Sequence, residues 1–408
     1  MSSSASQSAY DVIVVGAGMG GLTAGALLAK EGKHVLVVEQ EEHPGGFVRE
    51  YDYGPYKINP AMHFIMGCNP AGPLGQGVID AVLSHLSVQD RCEFATVDPI
   101  YRAQFPDFQL NVPLGREGFL DAHLRHFPDE ADGLRDLVEL CSTIFQEFMQ
   151  SPAVMGWQDW LLMPFRSPKT FRNAMSTLSS VIDRHLADPQ LKSVYAVVSP
   201  FLALPPSRLP FTMWAVMMAG NIEQGAFSCQ GGFQNLADAF AEGVTKHDGE
   251  LLLEMPVKKI RVAGGSVQGI VLQNGQEISA PMVISNIDAR TTVQNLIEAD
   301  QVPTSYARRI RAMELSASVL GLYLATDLDI HALGIPKQTM ISTWDLEEAI
   351  ASAFRGNPKG AAVHVPTVVD DTLAPAGEHL VIIQSFAPAE RLSPSASAKY
   401  AESLLDLA

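Results

Sequence analysis

A glycine-rich turn between a short buried strand and a helix constrains the fold of this 408-residue chain more than any other feature. Residues 11–15 are almost entirely β-branched, which is typical of a strand buried on both faces. Residues 22–31 predict a helix, and residues 34–39 predict a second buried strand. Strand, turn, helix and strand in this order indicate the βαβ unit of a doubly wound α/β fold.

The turn holds glycines spaced as GxGxxG, and each of them has a physical role. Gly16 permits the tight turn, Gly18 lets the backbone approach a diphosphate, and Gly21 allows the helix to pack closely on the strand. Gly20 adds backbone freedom. Glu39 ends the second strand, where a carboxylate can accept hydrogen bonds from a ribose. The unit therefore predicts an adenine-dinucleotide site, and the alternative is a glycine turn without a ligand.

A second glycine turn distinguishes between the common dinucleotides. Gly45 and Gly46 follow Glu39 after a short gap. They place a flexible turn, free of side chains, where a longer flavin cofactor would pass. A nicotinamide enzyme does not need this second turn. The predicted cofactor is therefore FAD.

Composition and charge exclude several kinds of partner. Lys and Arg number 28 against 45 Asp and Glu, the net charge is -17, and the longest basic cluster spans residues 308–311. We therefore expect no nucleic-acid partner. The acidic balance disfavours electrostatic docking on anionic lipid but leaves hydrophobic, peripheral attachment to a membrane open. Residues 1–10 lack a secretory signal and no transmembrane helix is predicted, so we expect a cytoplasmic protein.

Metal and hydrolase chemistry find no support in the sequence. The four cysteines form no CxxC pair, which predicts inert thiols in a reducing compartment. The eleven histidines are scattered, and HExxH, Walker A and GxSxG motifs do not occur. We therefore expect no metal site, no phosphotransferase and no serine hydrolase.

Apolar patterns predict the elements outside the βαβ unit. Residues 257–262 and 267–272 predict a β-hairpin, and residues 318–326 and 379–386 predict strands. An amphipathic helix with its apolar face in the core is predicted from the spacing of Leu134, Leu137, Val138, Cys141, Phe145, Phe148 and Met149.

The middle of the chain, residues 151–222, is rich in Trp, Met, Phe and Pro. Its apolar residues form one group at 157–165 and a second at 211–218. Both groups have two interpretations. They belong to the core, or they form a hydrophobic substrate tunnel or a membrane-facing entrance.

Two blocks of the sequence resemble the phytoene desaturase-like branch of the flavin amine oxidase superfamily, which includes carotenoid desaturases, carotenoid isomerases and retinol saturases. The first block is VIVVGAGMGGLTAGALLAKEGKHVLVVEQEEHPGG, residues 12–46. The second block, residues 230–297, runs from QGG through a helix, a strand and a hairpin to VISN. The resemblance implies a Rossmann-like FAD-binding domain and a mixed-sheet and helical substrate region. The FAD domain would comprise residues 1–75 and 228–297, and the substrate region would comprise residues 76–227 and 298–408.

The resemblance also implies the residues of the flavin site. The backbone of Val257 would meet the adenine, and Gly231 and Gly232 would lie near the return to the cofactor domain. Phe47 stands where relatives often carry a basic residue, and Arg49 is the candidate to replace it. The expected cofactor-binding residues are Gly16, Gly18, Gly20, Gly21, Glu39, Gln40, Gly45, Gly46, Phe47, Arg49 and Val257.

His63 is the candidate catalytic residue, because it follows a segment that approaches the isoalloxazine in the relatives. The alternative is a histidine satisfied within the fold. Related chains continue beyond the region that matches residues 395–407 into a glycine-rich segment that completes the flavin site. From this difference we expect the 408-residue sequence to be a fragment or a shortened form.

Hydride transfer between FAD and a hydrophobic polyene or isoprenoid-like substrate is the leading functional hypothesis. The reaction would be a desaturation, a saturation or a double-bond isomerisation. The flavin would supply the redox chemistry, while the protein would bind the substrate and exclude water. Two alternatives stay open: a flavin oxidase of amines or other small metabolites, and a non-catalytic flavoprotein relative.

Overall fold

The computed structural model describes residues 10–71, 76–152, 154–388 and 392–408. The prediction that the N-terminus carries no secretory signal falls on residues 1–10, of which 1–9 lie outside this range. The strands are β1 (Val12–Val15), β2 (Val35–Val38), β3 (Tyr51–Tyr53), β4 (Tyr56–Ile58), β5 (Phe94–Thr96), β6 (Tyr101–Phe105), β7 (Phe108–Val112), β8 (Phe227–Cys229), β9 (Glu250–Leu252), β10 (Val257–Ala263), β11 (Ser266–Leu272), β12 (Glu277–Ser279), β13 (Met282–Ser285), β14 (Ser318–Thr326), β15 (Gln338–Ile341), β16 (Ala361–His364) and β17 (His379–Ala387).

The α-helices lie between these strands, and half of those in the described residues fall between residues 131 and 246. They are α1 (Met19–Lys30), α2 (Val78–Leu86), α3 (Arg116–Leu124), α4 (Ala131–Met149), α5 (Trp157–Arg166), α6 (Pro168–Asn173), α7 (Leu178–His185), α8 (Pro189–Ala196), α9 (Phe211–Gln224), α10 (Gln234–Lys246), α11 (Ala289–Thr291), α12 (Thr304–Arg311), α13 (Leu346–Phe354) and α14 (Pro394–Leu407). Within the described residues, no helix combines the length and apolar composition needed to cross a bilayer.

A parallel sheet in the order β13-β1-β2-β9 confirms the predicted βαβ unit. Every residue of β1 and β2 is buried, because helices cover one face of the sheet and the hairpin β10–β11 covers the other. Val12 and Val14 pack with α1 and α10, whereas Ile13 and Val15 pack with the hairpin. The alternation follows from the two-residue period of a strand.

The second large sheet has the order β14-β17-β16-β15-β6-β7 and is antiparallel except where β15 runs parallel to β6. Strands β14 and β17 pair over nine positions, from Ser318↔Ala387 to Thr326↔His379. Both were predicted from their apolar runs, as was the hairpin of β10 and β11. The mixed sheet draws its strands from distant segments, so its order was not readable from the sequence.

The helical region between the sheets is only partly as predicted. Helix α4 buries the stripe from Leu134 to Phe145 against α9. Phe148 and Met149 are 58% and 40% exposed, so their assignment to the core was wrong. Phe145 is the last residue of α4 in the buried cluster, and the final turn of the helix lies outside that cluster.

The two apolar groups of residues 151–222 have opposite environments. In the group at 211–218, Phe211, Trp214 and Met218 are buried, which confirms the core interpretation for them, whereas Met213 is 51% exposed. In the group at 157–165, no residue of α5 is buried, and Trp157 is 74% exposed. The group at 157–165 is therefore a surface feature, and most of the group at 211–218 is part of the core.

Candidate functional site

The glycine turn after β1 needs its first and third glycines for packing. Gly16 has φ +96°, and a Cβ there would lie 2.7 Å from Cγ2 of Ile287. A Cβ on Gly21 would lie 2.1 Å from the carbonyl oxygen of Gly16. Both values are far below van der Waals contact. A side chain at Gly16 would displace the segment after β13, and a side chain at Gly21 would separate α1 from β1. The predicted roles of Gly16 and Gly21 agree with this geometry.

The middle glycine of the turn has a different role. Gly18 is the N-cap of α1 with φ -70°, a conformation open to any residue. No side chain among the described residues caps this helix, and its first turn contains no acidic residue. The first amide groups of α1 are therefore free to bind an anion, which the helix dipole also favours.

Glu39 lies directly at this turn. Its Oε2 accepts a hydrogen bond of 2.7 Å from the backbone N–H of Ala17. Its Oε1 accepts hydrogen bonds from the backbone N–H groups of Gln40 at 2.8 Å and Glu41 at 3.1 Å. The carboxylate is thus fixed between the end of β2 and the glycine turn, next to the position that a ribose would occupy beside a bound diphosphate.

The second glycine turn touches the first one backbone to backbone. The N–H of Gly45 donates to the carbonyl of Ala17 at 2.8 Å, and a Cβ on Gly46 would lie 3.1 Å from Cα of Gly18. Both residues have positive φ, +126° and +58°. These glycines therefore add no side chains of their own to the surface between the two turns, and the Asn286 side chain lies against Gly18 and Gly20.

Phe47 and Arg49 follow this turn, and their side chains have different environments. Phe47 is 87% exposed. The Arg49 guanidinium forms ion pairs with Glu41 at 2.8 Å and Glu42 at 3.0 Å, and it covers the ring of Tyr51. The arginine is therefore held by the acidic residues that follow β2.

Val257 begins β10 close to the same edge of the sheet. The backbone N–H of Met255, two residues earlier, donates to the carbonyl of Glu39 at 2.8 Å. The structure thus brings the end of β2, both glycine turns and the start of β10 together. The residues of this constellation fit FAD: the uncapped N-terminus of α1 could hold the diphosphate, Glu39 could hold the ribose, and the glycines leave room between them.

A polar cavity lies between the parallel sheet and the mixed sheet. It is lined by Glu50, Lys57, His63, Ser228, Gly232, Lys337 and a set of mainly apolar neighbours. Glu50 accepts a hydrogen bond of 2.7 Å from the N–H of Phe233, and its carboxylate lies against Gly232. Burial raises the pKa of the Glu50 carboxyl to about 7.

Lys337 is a buried amine in the same cavity. Its side chain is 4% exposed, and Nζ donates a hydrogen bond of 2.5 Å to Oγ of Ser228. Desolvation lowers the pKa of Lys337 to about 7, although the charge of Asp370 opposes the shift. Asp370 itself accepts a hydrogen bond of 2.6 Å from the N–H of Gly231. The second glycine pair therefore lies at the edge of this cavity, held by carboxylates.

His63 stacks on a second histidine that the sequence did not indicate. The rings of His63 and His364 are parallel to within 13°, with centroids 3.6 Å apart. His63 Nε2 shares a hydrogen bond of 2.9 Å with Oε1 of Gln384, and Nε2 of Gln384 donates to the carbonyl of Pro60. Desolvation is the main cause that lowers the pKa of His63 to about 4, and it also lowers the pKa of His364 well below its ordinary value. Both rings are therefore neutral near pH 7.

An apolar cavity lies on the other side of this histidine pair. Its wall comes from the mixed sheet, α13 and the turn near residue 200, and it includes Phe201, Met340, Ile350, Ala362, His364, Gln384 and Phe386. His364 and Gln384 line the apolar cavity, whereas His63 lines the polar one. The stacked rings thus mark the boundary between an apolar and a polar compartment.

Sequence reasoning missed Lys337, His364 and Gln384. Each lies in or next to a strand of the mixed sheet, far in sequence from His63. One signal was present, because Gln384 is a polar residue inside the apolar run of β17. Among the described residues, no group of three or more His, Cys, Asp or Glu side chains is arranged to hold a metal ion.

Comparison with known proteins identifies the family. The model of the flavin containing amine oxidoreductase family matches residues 19–400. A 4,4'-diapophytoene desaturase of Methylomonas sp is 24% identical over 389 residues, covering 91% of this chain and 72% of the desaturase. Prolycopene isomerase 2 of an Oncidium hybrid cultivar is 26% identical over 393 residues, covering 91% of this chain and 63% of the isomerase. The crystal structure of an oxidoreductase from Methanosarcina mazei has a TM-score of 0.64 and 18% identity, covering 97% of this chain and 82% of the other.

The chain therefore belongs to the flavin-containing amine oxidoreductase family. The predicted Rossmann-like fold and the predicted flavin cofactor, FAD, are both confirmed. The chain spans less than two thirds of the length of the isomerase.

Proposed function

We propose that the protein is an FAD-dependent oxidoreductase that acts on a hydrophobic polyene or isoprenoid-like substrate. The observation that carries this proposal is the apolar cavity that ends at the His63–His364 stack, with the polar cavity directly behind it. An apolar chain in the first cavity would reach the boundary of the polar compartment without exposing its length to water. The names of the desaturase and isomerase relatives, which both refer to polyenes, support the same substrate class.

The lining of the apolar cavity argues against an amine as substrate. Its described lining residues include no carboxylate, so a protonated amine would be desolvated there without a counter-charge. An uncharged hydrocarbon loses nothing on entering such a cavity and gains from the burial of its surface. A polyene is therefore the better match to this wall.

The FAD site in this proposal consists of the residues expected from the sequence. Gly16, Gly18, Gly20, Gly21, Glu39, Gln40, Gly45, Gly46, Phe47, Arg49 and Val257 would hold the adenine and diphosphate end. The division into an FAD domain, residues 1–75 and 228–297, and a substrate region, residues 76–227 and 298–408, is proposed with it. The composition of the two large sheets supports this division, since the parallel sheet uses only strands from the first set.

Bound FAD would supply two-electron redox chemistry, and the protein would supply the environment. The apolar wall would orient the substrate and exclude water. The neutral histidine pair would separate substrate from solvent without placing a charge beside the hydrocarbon. Lys337 and Glu50 would set the electrostatic potential of the polar cavity.

Anaerobic reduction of the protein-bound flavin tests the proposal. We expect 4,4'-diapophytoene in detergent micelles to bleach the flavin of the full-length protein, and benzylamine to leave it oxidised. The Ala362→Phe variant fills the apolar cavity and should abolish the bleaching. Ala325→Phe, on an exposed position of β14 outside the cavity wall, is the matched control. Bleaching by the amine alone would overturn the proposal.

A peripheral membrane contact through α5 is part of the same proposal. Trp157, Trp160, Leu161 and Phe165 are all exposed on this helix, and aromatic residues of this kind favour the membrane interface. Arg166, Lys169 and Arg172 lie beside them in a chain that is otherwise strongly acidic. A surface that combines basic and aromatic side chains suits the interface of a lipid bilayer.

Vesicle flotation tests the membrane contact. We expect the wild type to float with phosphatidylcholine vesicles containing phosphatidylglycerol, and a variant with Trp157→Ser, Trp160→Ser and Phe165→Ser to remain at the bottom of the gradient. Tyr306→Ser with Leu328→Ser removes exposed apolar side chains elsewhere and should not change flotation. Equal flotation of the α5 variant and the wild type would contradict this part of the proposal.

A further inference from the structure

The wall of the apolar cavity contains one ionisable side chain among its described residues, and that side chain is His364. The other polar groups are Ser342, Gln384 and Ser385. Gln384 uses both ends of its amide, with His63 and the carbonyl of Pro60, and Ser385 donates to the carbonyl of Gly360. A reaction in this cavity that moves a proton to or from the substrate therefore has one side chain available to it.

His364 is held as a neutral base. Its ring is 1% exposed, and Nδ1 has no hydrogen-bond partner among the described residues. Burial lowers its pKa most, and the neighbouring His63 and Lys337 lower it further. Glu50 lines the polar cavity with Lys337, and Asp370 acts on the charge of Lys337. A neutral imidazole carries one N–H and one lone pair, so it can accept a proton from the substrate.

Introducing a double bond into a saturated segment needs such a group. One C–H bond would break with loss of a hydride, for which bound FAD would supply the two-electron acceptor. The C–H bond on the neighbouring carbon breaks to release a proton, and its electron pair forms the new π bond. A hydrocarbon cannot retain that proton, so a base must take it.

We propose that His364 is the catalytic base that accepts this proton, and that His63 and Gln384 are positioning residues that fix its ring. The inference rests on the proposed function, because it assumes an apolar substrate and a bound flavin. The parallel stack on His63 sets the plane of the His364 ring, and the hydrogen bond from His63 to Gln384 sets the plane of the stack. Since Ala362 pairs with Gln384 and His364 with Ile382 in neighbouring strands, β16 and β17 place His364 and Gln384 on one face of the sheet.

Removal of the base tests the proposal in single-turnover experiments. His364→Gln keeps a polar side chain of similar reach but cannot accept a proton at neutral pH. We expect it to retain flavin and to bleach with 4,4'-diapophytoene about a hundredfold or more slowly than the wild type, with an unchanged dependence on substrate concentration. His63→Gln should lower the rate less, because it changes only the position of the base. His85→Gln, on the exposed side of α2, is the control and should have no effect.

A second measurement does not depend on bound flavin or on the folding of a variant. In the wild-type protein, ¹⁵N spectra of the histidine side chains should show His364 neutral at pH 6, and addition of the apolar polyene diphenylhexatriene should shift its resonances but not those of His85. Absence of that shift, or a wild-type bleaching rate in a folded His364→Gln protein, would overturn the assignment of the base. Failure of the wild type to react with any polyene would instead overturn the proposed function.

Discussion

In the parallel sheet the functional surface is backbone, whereas in the mixed sheet it consists of side chains. Around β1 and β2 the glycines leave peptide groups without side chains, and Glu39 contributes a charged side chain to the turn. Around β15, β16 and β17 the site is made of Lys337, His364 and Gln384, which are buried or half-buried. Backbone groups, which every chain has, can bind a cofactor that many proteins share. Recognition of a particular substrate needs particular side chains.

The two regions should consequently respond differently to small and to charged substitutions. In the glycine turn a single methyl group decides whether the strand and helix can pack. In the mixed sheet the buried amine of Lys337 makes stability depend on pH. Four experiments measure this contrast.

The largest effect is expected at Gly21. A methyl group there meets the carbonyl of Gly16 at 2.1 Å, so α1 must move away from β1. We expect Gly21→Ala to lose roughly 4 kcal/mol of unfolding free energy or to fail to fold, as measured by urea denaturation. Gly18→Ala is the matched variant. Its Cβ meets only Nδ2 of Asn286 at 3.1 Å, so it should cost less than about 1 kcal/mol. Equal stability of the two variants would contradict the view that Gly21 is needed for packing and Gly18 is not.

Much of the first region could be predicted because its determinants are local. The strand, the spacing of Gly16, Gly18 and Gly21, and Glu39 all lie within one short segment, and each has a role that follows from backbone geometry. Strands β14 and β17 were predicted for a similar reason, since a long apolar run is a local signal.

The second region could not be predicted because it is assembled from distant segments. His63 and Gln384, which share a hydrogen bond, are 321 residues apart in sequence. The burial of Lys337 could not be predicted for another reason. Lysine is rarely buried, and the sequence around Lys337 contains no pattern that indicates burial. The exposure of Trp157 and Trp160 was also unreadable, since apolar residues give the same sequence pattern in a core and at a membrane.

The next effect in size concerns Lys337. Its pKa is about 7 in the folded chain and 10.5 ordinarily, so between these values the unfolded chain binds a proton that the folded chain does not. Stability therefore falls as the pH drops from 10.5 towards 7. Lys337→Met removes this penalty, and we expect its gain over the wild type to be about 3 kcal/mol larger at pH 7 than at pH 10.

Denaturation curves at the two pH values provide the measurement. Lys33→Met, at an exposed position, controls for the loss of a positive charge and should show no such pH dependence. A Lys337→Met protein that is less stable than the wild type at pH 7 would mean that the ammonium is well solvated. The proposed contrast between the glycine turn, where backbone forms the site, and the mixed sheet, where buried charge affects stability, would then be wrong.

A smaller effect is expected at Glu39, where the parallel sheet uses its charged side chain. Glu39→Ala removes the acceptor from beside the glycine turn, and hydrogen bonds to a charged group contribute about 1.5–3 kcal/mol. FAD affinity should therefore fall roughly tenfold to a hundredfold, measured by fluorescence titration of protein freed of cofactor. Glu31→Ala, exposed at the far end of α1, keeps the same net charge as this variant and should bind FAD like the wild type.

The smallest effect is expected at Gly32, which lies in the same βαβ unit as Gly21 but outside the site. Gly32 has φ +79°, and a Cβ there would have no atom within 4 Å. Gly32→Ala therefore adds backbone strain without a clash, and we expect a loss of about 1 kcal/mol in urea denaturation with unchanged FAD binding. If Gly32→Ala destabilised the chain as much as Gly21→Ala, positive φ alone would account for the sensitivity of these glycines. The close approach of α1 to β1 at Gly21 would then not explain the loss of unfolding free energy in Gly21→Ala.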